Sequence, residues 1–172
     1  MSRRLRLAVG ADEAGYEYKE AIRADLAAHP RVARVTDFGV AAGATTPYPN
    51  VGLAVAEAVA DGEVDRAILI CGTGIGMAIS ANKVTGIRAT TVMDGYSCER
   101  SVLSNNCQII CFGQRVIGLE LARRLTREWL GFEFDPASPS HAKVDVITRY
   151  ERSHAQPAPG TVLGDAATKE SC

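Results

Sequence analysis

The segment Cys71-Gly72-Thr73-Gly74-Ile75-Gly76 brings a thiol, a hydroxyl and closely spaced glycines together. Glycines let the backbone approach a ligand, and successive amides that lead into a helix can bind an anion. Such amides favour the thiolate of Cys71, a suitable base for a carbon-bound proton. Thr73 can pass a proton between neighbouring oxygens, while the amides hold an enediolate oxygen. From these residues alone, proton transfer beside a carbonyl and a buried structural cysteine are equally good interpretations.

Two nucleotide-binding motifs fit this segment poorly. In the dinucleotide-binding pattern Gly-x-Gly-x-x-Gly, the third glycine would stand where this chain has Met77. The acidic residue expected about twenty positions later is matched only loosely, by Asp94. The Gly-Lys-Ser/Thr of the phosphate-binding loop is absent from the sequence.

Alternating strands and helices are predicted to position the segment. Apolar runs predict strands at 4–10, 32–37, 67–71, 88–93 and 109–112, and helical periodicity predicts helices at 16–28, 51–59, 78–82, 96–103, 118–130 and 141–151. This alternation predicts an α/β fold: a Rossmann-like, doubly wound, five-stranded parallel sheet with flanking helices. We expect one domain over residues 1–152 and a flexible C-terminal tail over 153–172. Ligands of such sheets bind beyond the carboxyl ends of the strands, where Asp12 and Glu13 also fall.

Composition limits the possible partners and compartment. The chain has 172 residues and a net charge of -1, so nothing electrostatic favours nucleic acid or a membrane surface. No apolar run approaches the roughly 18–20 residues of a membrane helix. Five cysteines without a Cys-x-x-Cys pair argue against a disulfide framework and a zinc site. The reducing cytoplasm is therefore the predicted location.

Several motifs together make the sequence similar to a known family. They are Asp12-Glu13-Ala14-Gly15-Tyr16, Tyr48-Pro49, Ile70-Cys71-Gly72-Thr73-Gly74-Ile75-Gly76, Ala81-Asn82-Lys83, Gly86-Ile87-Arg88-Ala89, Asn105-Asn106 and Phe112-Gly113-Gln114-Arg115-Val116-Ile117-Gly118. In this order they resemble the ribose-5-phosphate isomerase B family, which includes the galactose-6-phosphate isomerase subunits. The resemblance implies a homodimer or homotetramer with its active site at the dimer interface. It also implies proton transfer between C1 and C2 through an enediolate, without metal or cofactor.

The resemblance also implies roles for individual residues. Cys71 is the base, since Met77 replaces the glutamate that serves in another branch of the family. Thr73 moves the proton between oxygens, and Asn105 holds the enediolate together with the loop amides. The expected substrate-binding residues are Asp12, Glu13, Tyr48, Gly72, Gly74, Gly76, Arg115, His141 and Lys143, with Arg115 reaching phosphate across the dimer interface.

Three departures from the family pattern concern the substrate. Glu13 replaces a histidine near the phosphate end, so it must turn away, be protonated or contact a hydroxyl. Ser104 replaces the histidine that opens a furanose ring, and a serine hydroxyl hardly titrates near neutral pH. In the C-terminal segment Pro139 and Lys143 stand at arginine positions, and a lysine cannot bind phosphate bidentately.

A substrate that needs no ring opening fits these departures. A tetrose 4-phosphate stays open-chain, because the oxygen that would close a furanose already carries the phosphate. The leading hypothesis is interconversion of D-erythrulose 4-phosphate and D-erythrose 4-phosphate, in tetritol catabolism. The alternatives are a ribose-5-phosphate isomerase, a six-carbon phosphate isomerase, and a non-catalytic sugar-phosphate sensor or nucleotide-binding module.

Overall fold

The computed structural model describes residues 3–154, and within them the predicted α/β fold is confirmed. One parallel sheet has the strand order β2-β1-β3-β5-β4. Its strands are β1 Leu5–Ala11, β2 Val32–Asp37, β3 Arg66–Cys71, β4 Ala89–Thr91 and β5 Ile109–Gly113. The helices are α1 Tyr16–Ala27, α2 Tyr48–Ala60, α3 Ile75–Ala81, α4 Gly95–Leu103, α5 Leu119–Trp129 and α6 Ser140–His154, and a 3₁₀ turn spans Glu13–Gly15.

The central strands are apolar because helices cover both of their faces. Strand β5 is buried along its whole length, and β3 is buried from Ala67 onward. Helices α1, α4 and α5 pack on one face around the fully buried Trp129, and α2 and α3 pack on the other. The edge strand β2 has a mixed polar sequence and is largely exposed. Because helices pack on both faces, the carboxyl ends of the central strands are held in fixed positions.

Some predicted boundaries were wrong, and one error affects the site. Helix α2 begins at Tyr48 rather than at 51, so Tyr48 is helical instead of lying in a loop. Pro49 falls in its first turn, where a fixed φ favours helix initiation. Strand β4 is shorter than predicted, since only Ala89–Thr91 pair with β5. The predicted tail, 153–172, starts inside α6, and its residues 155–172 lie outside the described part of the chain.

The strand order creates a crevice at the carboxyl ends of β1 and β3. From β1 the chain first moves outward to β2 and then returns to the other side as β3. Parallel sheets bind ligands at such a reversal. The register pairs Ala11 with Ile70, so Asp12 and Cys71 leave the sheet side by side. In residues 3–154 no helix combines the length and apolarity needed to cross a bilayer.

Candidate active site

The loop after β3 wraps around the thiol of Cys71. Cys71 is 5% exposed, and its Sγ accepts the backbone N–H of Gly74 at 3.1 Å. This turn needs glycine, because Gly74 has a φ of 79° and a Cβ there would lie 3.0 Å from the Phe112 carbonyl carbon. The Gly74 amide thus directs a donor at the sulfur, at the point where β3 ends. The structure thus places a potential base at the crevice.

The other buried thiols of this region are held neutral. Burial raises the pKa of Cys107 to about 11 despite the opposing charge of Arg88. Burial also raises the pKa of Cys111 well above its ordinary value, and the neighbouring Cys71 adds to the effect. Cys111 packs in the apolar cluster that includes Leu69 and Ile109, and Cys107 is also buried. Neither thiol competes with Cys71 for a proton-transfer role.

Polar groups lie beside the Cys71 thiol. Thr73 is exposed, and its Oγ1 accepts the Ile75 amide at 3.4 Å, which keeps the hydroxyl beside the loop. Helix α3 begins at Ile75, so the amides of Gly76 and Met77 have no acceptor within their own helix. A substrate oxygen can use these donors. The loop therefore joins a base, a hydroxyl and amides that can stabilise an oxyanion.

Two carboxylates follow β1 and face different surroundings. Asp12 is buried and accepts the Ala14 amide at 3.1 Å. Burial, and then the charge of Glu13, raise the pKa of Asp12. Glu13 is exposed, and its Oε2 accepts the amide of Thr46 at 3.4 Å. Of the possibilities left open by the sequence, the structure shows Glu13 turned toward the segment before α2.

Tyr48 and Arg115 complete the crevice. Tyr48 is 43% exposed, and a Cβ on Gly76 would lie 2.5 Å from its ring carbon Cε2, so the two residues touch only because 76 is glycine. A Cβ on Gly72 would lie 3.5 Å from Arg115 Nη1. The positive charge of Arg115 opposes the increase in the pKa of Asp12. The expectation that Arg115 reaches phosphate across a dimer interface stays a prediction. The short turn after β5 returns Arg115 to its own crevice, and its amide donates to the Gly72 carbonyl at 3.0 Å.

Three predicted site residues lie elsewhere. Asn105 is exposed and donates to the Arg100 carbonyl at 3.0 Å. It lines a cavity of about 630 Å³ with Arg88 on the β4 side and Ile147 of α6. His141 and Lys143 are exposed in the first turn of α6. We call Asn105 together with α6 the α6 side of the molecule.

Sequence reasoning missed one buried charge near the crevice. The buried residues of α1 are Lys19, Ile22 and Leu26, so a lysine lies on the helix stripe that faces the sheet. A lysine inside that stripe was the available signal. Asp94, the loose match to the acidic residue of the dinucleotide-binding pattern, caps α4 by accepting the Ser97 amide at 2.7 Å. Within the described residues, no three His, Cys, Asp or Glu side chains are grouped to hold a metal ion.

Comparison with known proteins supports the family suggested by the motifs. Residues 7–147 match the family model described as Ribose/Galactose Isomerase. The chain is 62% identical over 148 residues to D-erythrulose-4-phosphate isomerase 2 of Mycolicibacterium smegmatis, covering 86% of this chain and 97% of that one. It is 45% identical over 148 residues to D-erythrulose-4-phosphate isomerase of Pectobacterium atrosepticum, covering 86% and 95% of the two chains.

A solved structure agrees with the same assignment. Ribose-5-phosphate isomerase B of Clostridium thermocellum superposes with a TM-score of 0.81 at 39% identity, covering 87% of this chain and 99% of that one. The match therefore extends over the sheet, both helical layers and the crevice. The chain belongs to the ribose/galactose isomerase family.

Proposed function

We propose that this protein is an aldose–ketose isomerase that interconverts D-erythrulose 4-phosphate and D-erythrose 4-phosphate. The observation that carries the proposal is the position of Cys71: its thiol ends β3 at the crevice and accepts an amide from its own loop. A sensor has no need of a base in this position. The exposed Thr73 hydroxyl and the first amides of α3 supply the other groups that enediolate chemistry requires.

The proposed reaction needs one base and one oxygen-to-oxygen proton transfer. The Cys71 thiolate removes a proton from C1 of the ketose, and the C–H electron pair forms the double bond of an enediolate. The negative charge moves to O2, where backbone amides stabilise it. Thr73 carries the hydroxyl proton from O1 to O2, and the thiol returns its proton to C2. The product is the aldose, and no redox partner is consumed.

A second copy of the chain is needed to bring Asn105 to this reaction. Cys71 pairs with Gly113 at the carboxyl end of β5, whereas Asn105 precedes the first residue of that strand, Ile109. The strand from Ile109 to Gly113 alone spans about 13 Å, so Asn105 cannot contact a substrate held at Cys71 of its own chain. We therefore place the site at the interface of a homodimer, which could pair further into a homotetramer.

The same interface accounts for the charged residues of α6. His141 and Lys143 are exposed on the α6 side, while the crevice contains Arg115 and two carboxylates. A dianionic phosphate needs more positive charge than Arg115 supplies beside Asp12 and Glu13. In the proposed dimer Lys143 of one copy supports the phosphate bound in the crevice of the other. His141 lies two residues away in the same helical turn and assists it.

The four-carbon substrate is supported by position 104. Ser104 ends α4, and its Oγ faces Nη1 of Arg100 at 3.5 Å. A hydroxyl in this setting is a poor acid or base for opening a furanose. A tetrose 4-phosphate requires no such step. The names of the two similar relatives, D-erythrulose-4-phosphate isomerases of Mycolicibacterium smegmatis and Pectobacterium atrosepticum, agree with this substrate.

Turnover of two substrates tests the proposal. We expect the purified protein to isomerise D-erythrulose 4-phosphate with a kcat/KM at least about tenfold above that for D-ribose 5-phosphate. A clear preference for ribose 5-phosphate would refute the tetrose assignment while leaving the isomerase chemistry intact. Failure to exchange substrate hydrogen with solvent for either sugar would refute the chemistry and favour a sensor.

The variant Ser104→His examines the reason for that preference. A histidine restores a group that titrates near neutral pH, so ribose 5-phosphate turnover should rise while tetrose turnover changes little. Ser97→His is a suitable control, because Ser97 is an exposed residue of α4 about two helical turns before Ser104. Unchanged pentose turnover in Ser104→His would show that ring opening is not the limiting difference.

A further inference from the structure

Lys19 is a buried cation that the proposed reaction does not use. It lies in α1 on the stripe that faces the sheet and is 1% exposed. A lysine is seldom so deeply buried, because removing an ammonium group from water is costly unless it is fully paired. Its environment must therefore supply acceptors for its protons.

Three acceptors surround the ammonium group. Nζ lies 2.7 Å from Asp37 Oδ2, 3.0 Å from Glu20 Oε1 and 3.0 Å from the carbonyl oxygen of Val40. Burial opposes the charge, but the hydrogen bonds to Asp37 and Glu20 outweigh it and raise the pKa of Lys19. The ammonium group is therefore charged at neutral pH, and it holds the Val40 carbonyl through a charge-assisted bond.

The chain after β2 crosses directly over this lysine. A Cβ on Gly39 would lie 2.5 Å from Lys19 Cδ and 2.8 Å from the backbone nitrogen of Ala11, so the crossing is possible only with glycine. Val40 then donates to the Ala11 carbonyl at 3.0 Å. Ala11 immediately precedes Asp12. The crossing therefore fixes the start of the 41–47 segment against the end of β1.

The 41–47 segment leads from this crossing to the crevice. Its start is held at Val40 by Lys19, and near its end the Thr46 amide contacts Glu13. Between these points Ala41, Gly43, Ala44 and Thr45 line a cavity of about 280 Å³ with Glu13 and Tyr16. Tyr48 follows at the beginning of α2 and lies against Gly76. Small side chains give the segment little packing of its own, so its anchors determine its position.

We infer that Lys19 is a positioning residue for substrate binding, which acts by holding Val40 and thereby the 41–47 segment and Tyr48 at the crevice. It does not touch the substrate. Removing its charge should free the segment, displace Tyr48 and weaken substrate binding, whereas Cys71 stays in place on β3. The inference depends on the proposed function only for the choice of substrate.

The test separates KM from kcat in Lys19→Met, which keeps the stem and removes the ammonium group. We expect KM for D-erythrulose 4-phosphate to rise about tenfold while kcat stays within about twofold of the wild type, the signature of lost substrate binding. Asp37→Asn weakens the ion pair between Asp37 and Lys19 without leaving an empty space, and it should raise KM about threefold. If ribose 5-phosphate proves to be the substrate, the same constants are measured with it, so the two proposals fail separately.

Arg66→Met is the matched control. Arg66 is also a largely buried cation that holds backbone carbonyls, those of Trp129 and Phe132, but at the opposite end of the sheet. The variant Arg66→Met should have a lower melting temperature than the wild type and an unchanged KM. A KM for Lys19→Met no higher than that of Arg66→Met would overturn the inference, as would a collapse of kcat. Should Lys19→Met fail to fold, an unchanged KM in Asp37→Asn overturns it.

Discussion

The crevice and the α6 side differ in how complete they are within one chain. The crevice comprises Asp12, Tyr48, the 71–76 loop and Arg115. Tyr48 and Arg115 both lie against glycines of the loop, and the charge of Arg115 favours the ionised form of Asp12. On the α6 side Asn105, His141 and Lys143 are exposed. The crevice has a thiol and amide donors, while the α6 side has a carboxamide and positive charge. Each has groups that the other lacks, as the proposed sharing of the reaction between two copies requires.

The apolar surface of α6 supports the same interpretation. Val146, Ile147 and Tyr150 are exposed on this helix, and Val144 is its buried residue. A helix that leaves such side chains in water is typical of an interface. Ile75 and Ile79 of α3, beside the loop of Cys71, are exposed in the same way. The loop of Cys71 and the α6 side thus both adjoin exposed apolar side chains, which a second copy could cover in the proposed dimer.

Cys71→Ala should have the largest effect of any single change to the crevice. Losing the base should reduce kcat by at least about 1,000-fold, with the fold unchanged. Cys111→Ala is the control, since Cys111 is buried in the neighbouring strand and stays neutral. Solvent-hydrogen exchange at C1 and C2 measures the step directly. Comparable exchange in Cys71→Ala and the wild type would remove Cys71 from the mechanism.

Asn105→Ala makes the corresponding change on the α6 side. Loss of one donor to the enediolate should lower kcat by about 100-fold or more. Asn106→Gly serves as the control, because Asn106 has a φ of 49° that glycine adopts freely. Near-normal kcat for Asn105→Ala would mean that the crevice is sufficient alone, and the comparison between the two regions would lose its meaning.

Lys143→Ala tests the electrostatic part of the same comparison. Loss of one phosphate contact should raise KM about five- to tenfold and leave kcat largely intact. Arg149→Ala, on the same helix, removes an exposed cation that is paired with Asp145 and should leave KM unchanged. Equal effects of the two variants on KM would point to general attraction of the anion rather than to a specific contact.

Asp12→Asn should produce the smallest effect, which is measured as a change in melting temperature. Because the pKa of Asp12 is raised, the folded protein binds more protons than the unfolded chain at pH values between the unfolded-state and folded-state pKa of Asp12. Proton binding at Asp12 therefore contributes stability that is fully present at acid pH and is lost as the pH rises through the folded-state pKa. Asparagine should therefore raise the melting temperature by a few degrees at pH 8 and by less at pH 4. If the melting temperatures of Asp12→Asn and the wild type differed by the same amount at both pH values, this account would be contradicted.

Much of the crevice was predictable because its residues follow strands. The apolar run of β3 and the glycines after it located Cys71 at the carboxyl edge of the sheet. The motifs indicated the family, which the comparisons confirmed. Tyr48 was assigned to a loop because short-range polarity outweighed the prolines that begin α2. The role of Arg115 across a dimer interface stays a prediction, because the resemblance implies it and one chain shows only Arg115 beside its own Gly72.

Other features could not be read from the sequence at all. The role of Lys19 depends on where β2 and its following turn cross α1, which is a tertiary contact. The orientation of Glu13 depends on the Thr46 amide, which is distant in sequence. Asn105 is separated from Cys71 by the length of a strand, a fact that appears only when the register of β3 and β5 is known. Local patterns identify elements, whereas these contacts arise from their packing.

Mixing two inactive variants tests most directly whether the crevice and the α6 side combine between copies. Cys71→Ala and Asn105→Ala are each purified, mixed in equal amounts, allowed to exchange subunits and assayed with D-erythrulose 4-phosphate. Every mixed dimer then has one site with both Cys71 and Asn105, so activity should return to about a quarter of the wild-type value per chain. A mixture that exchanges subunits and yet stays as inactive as its components would contradict the shared site.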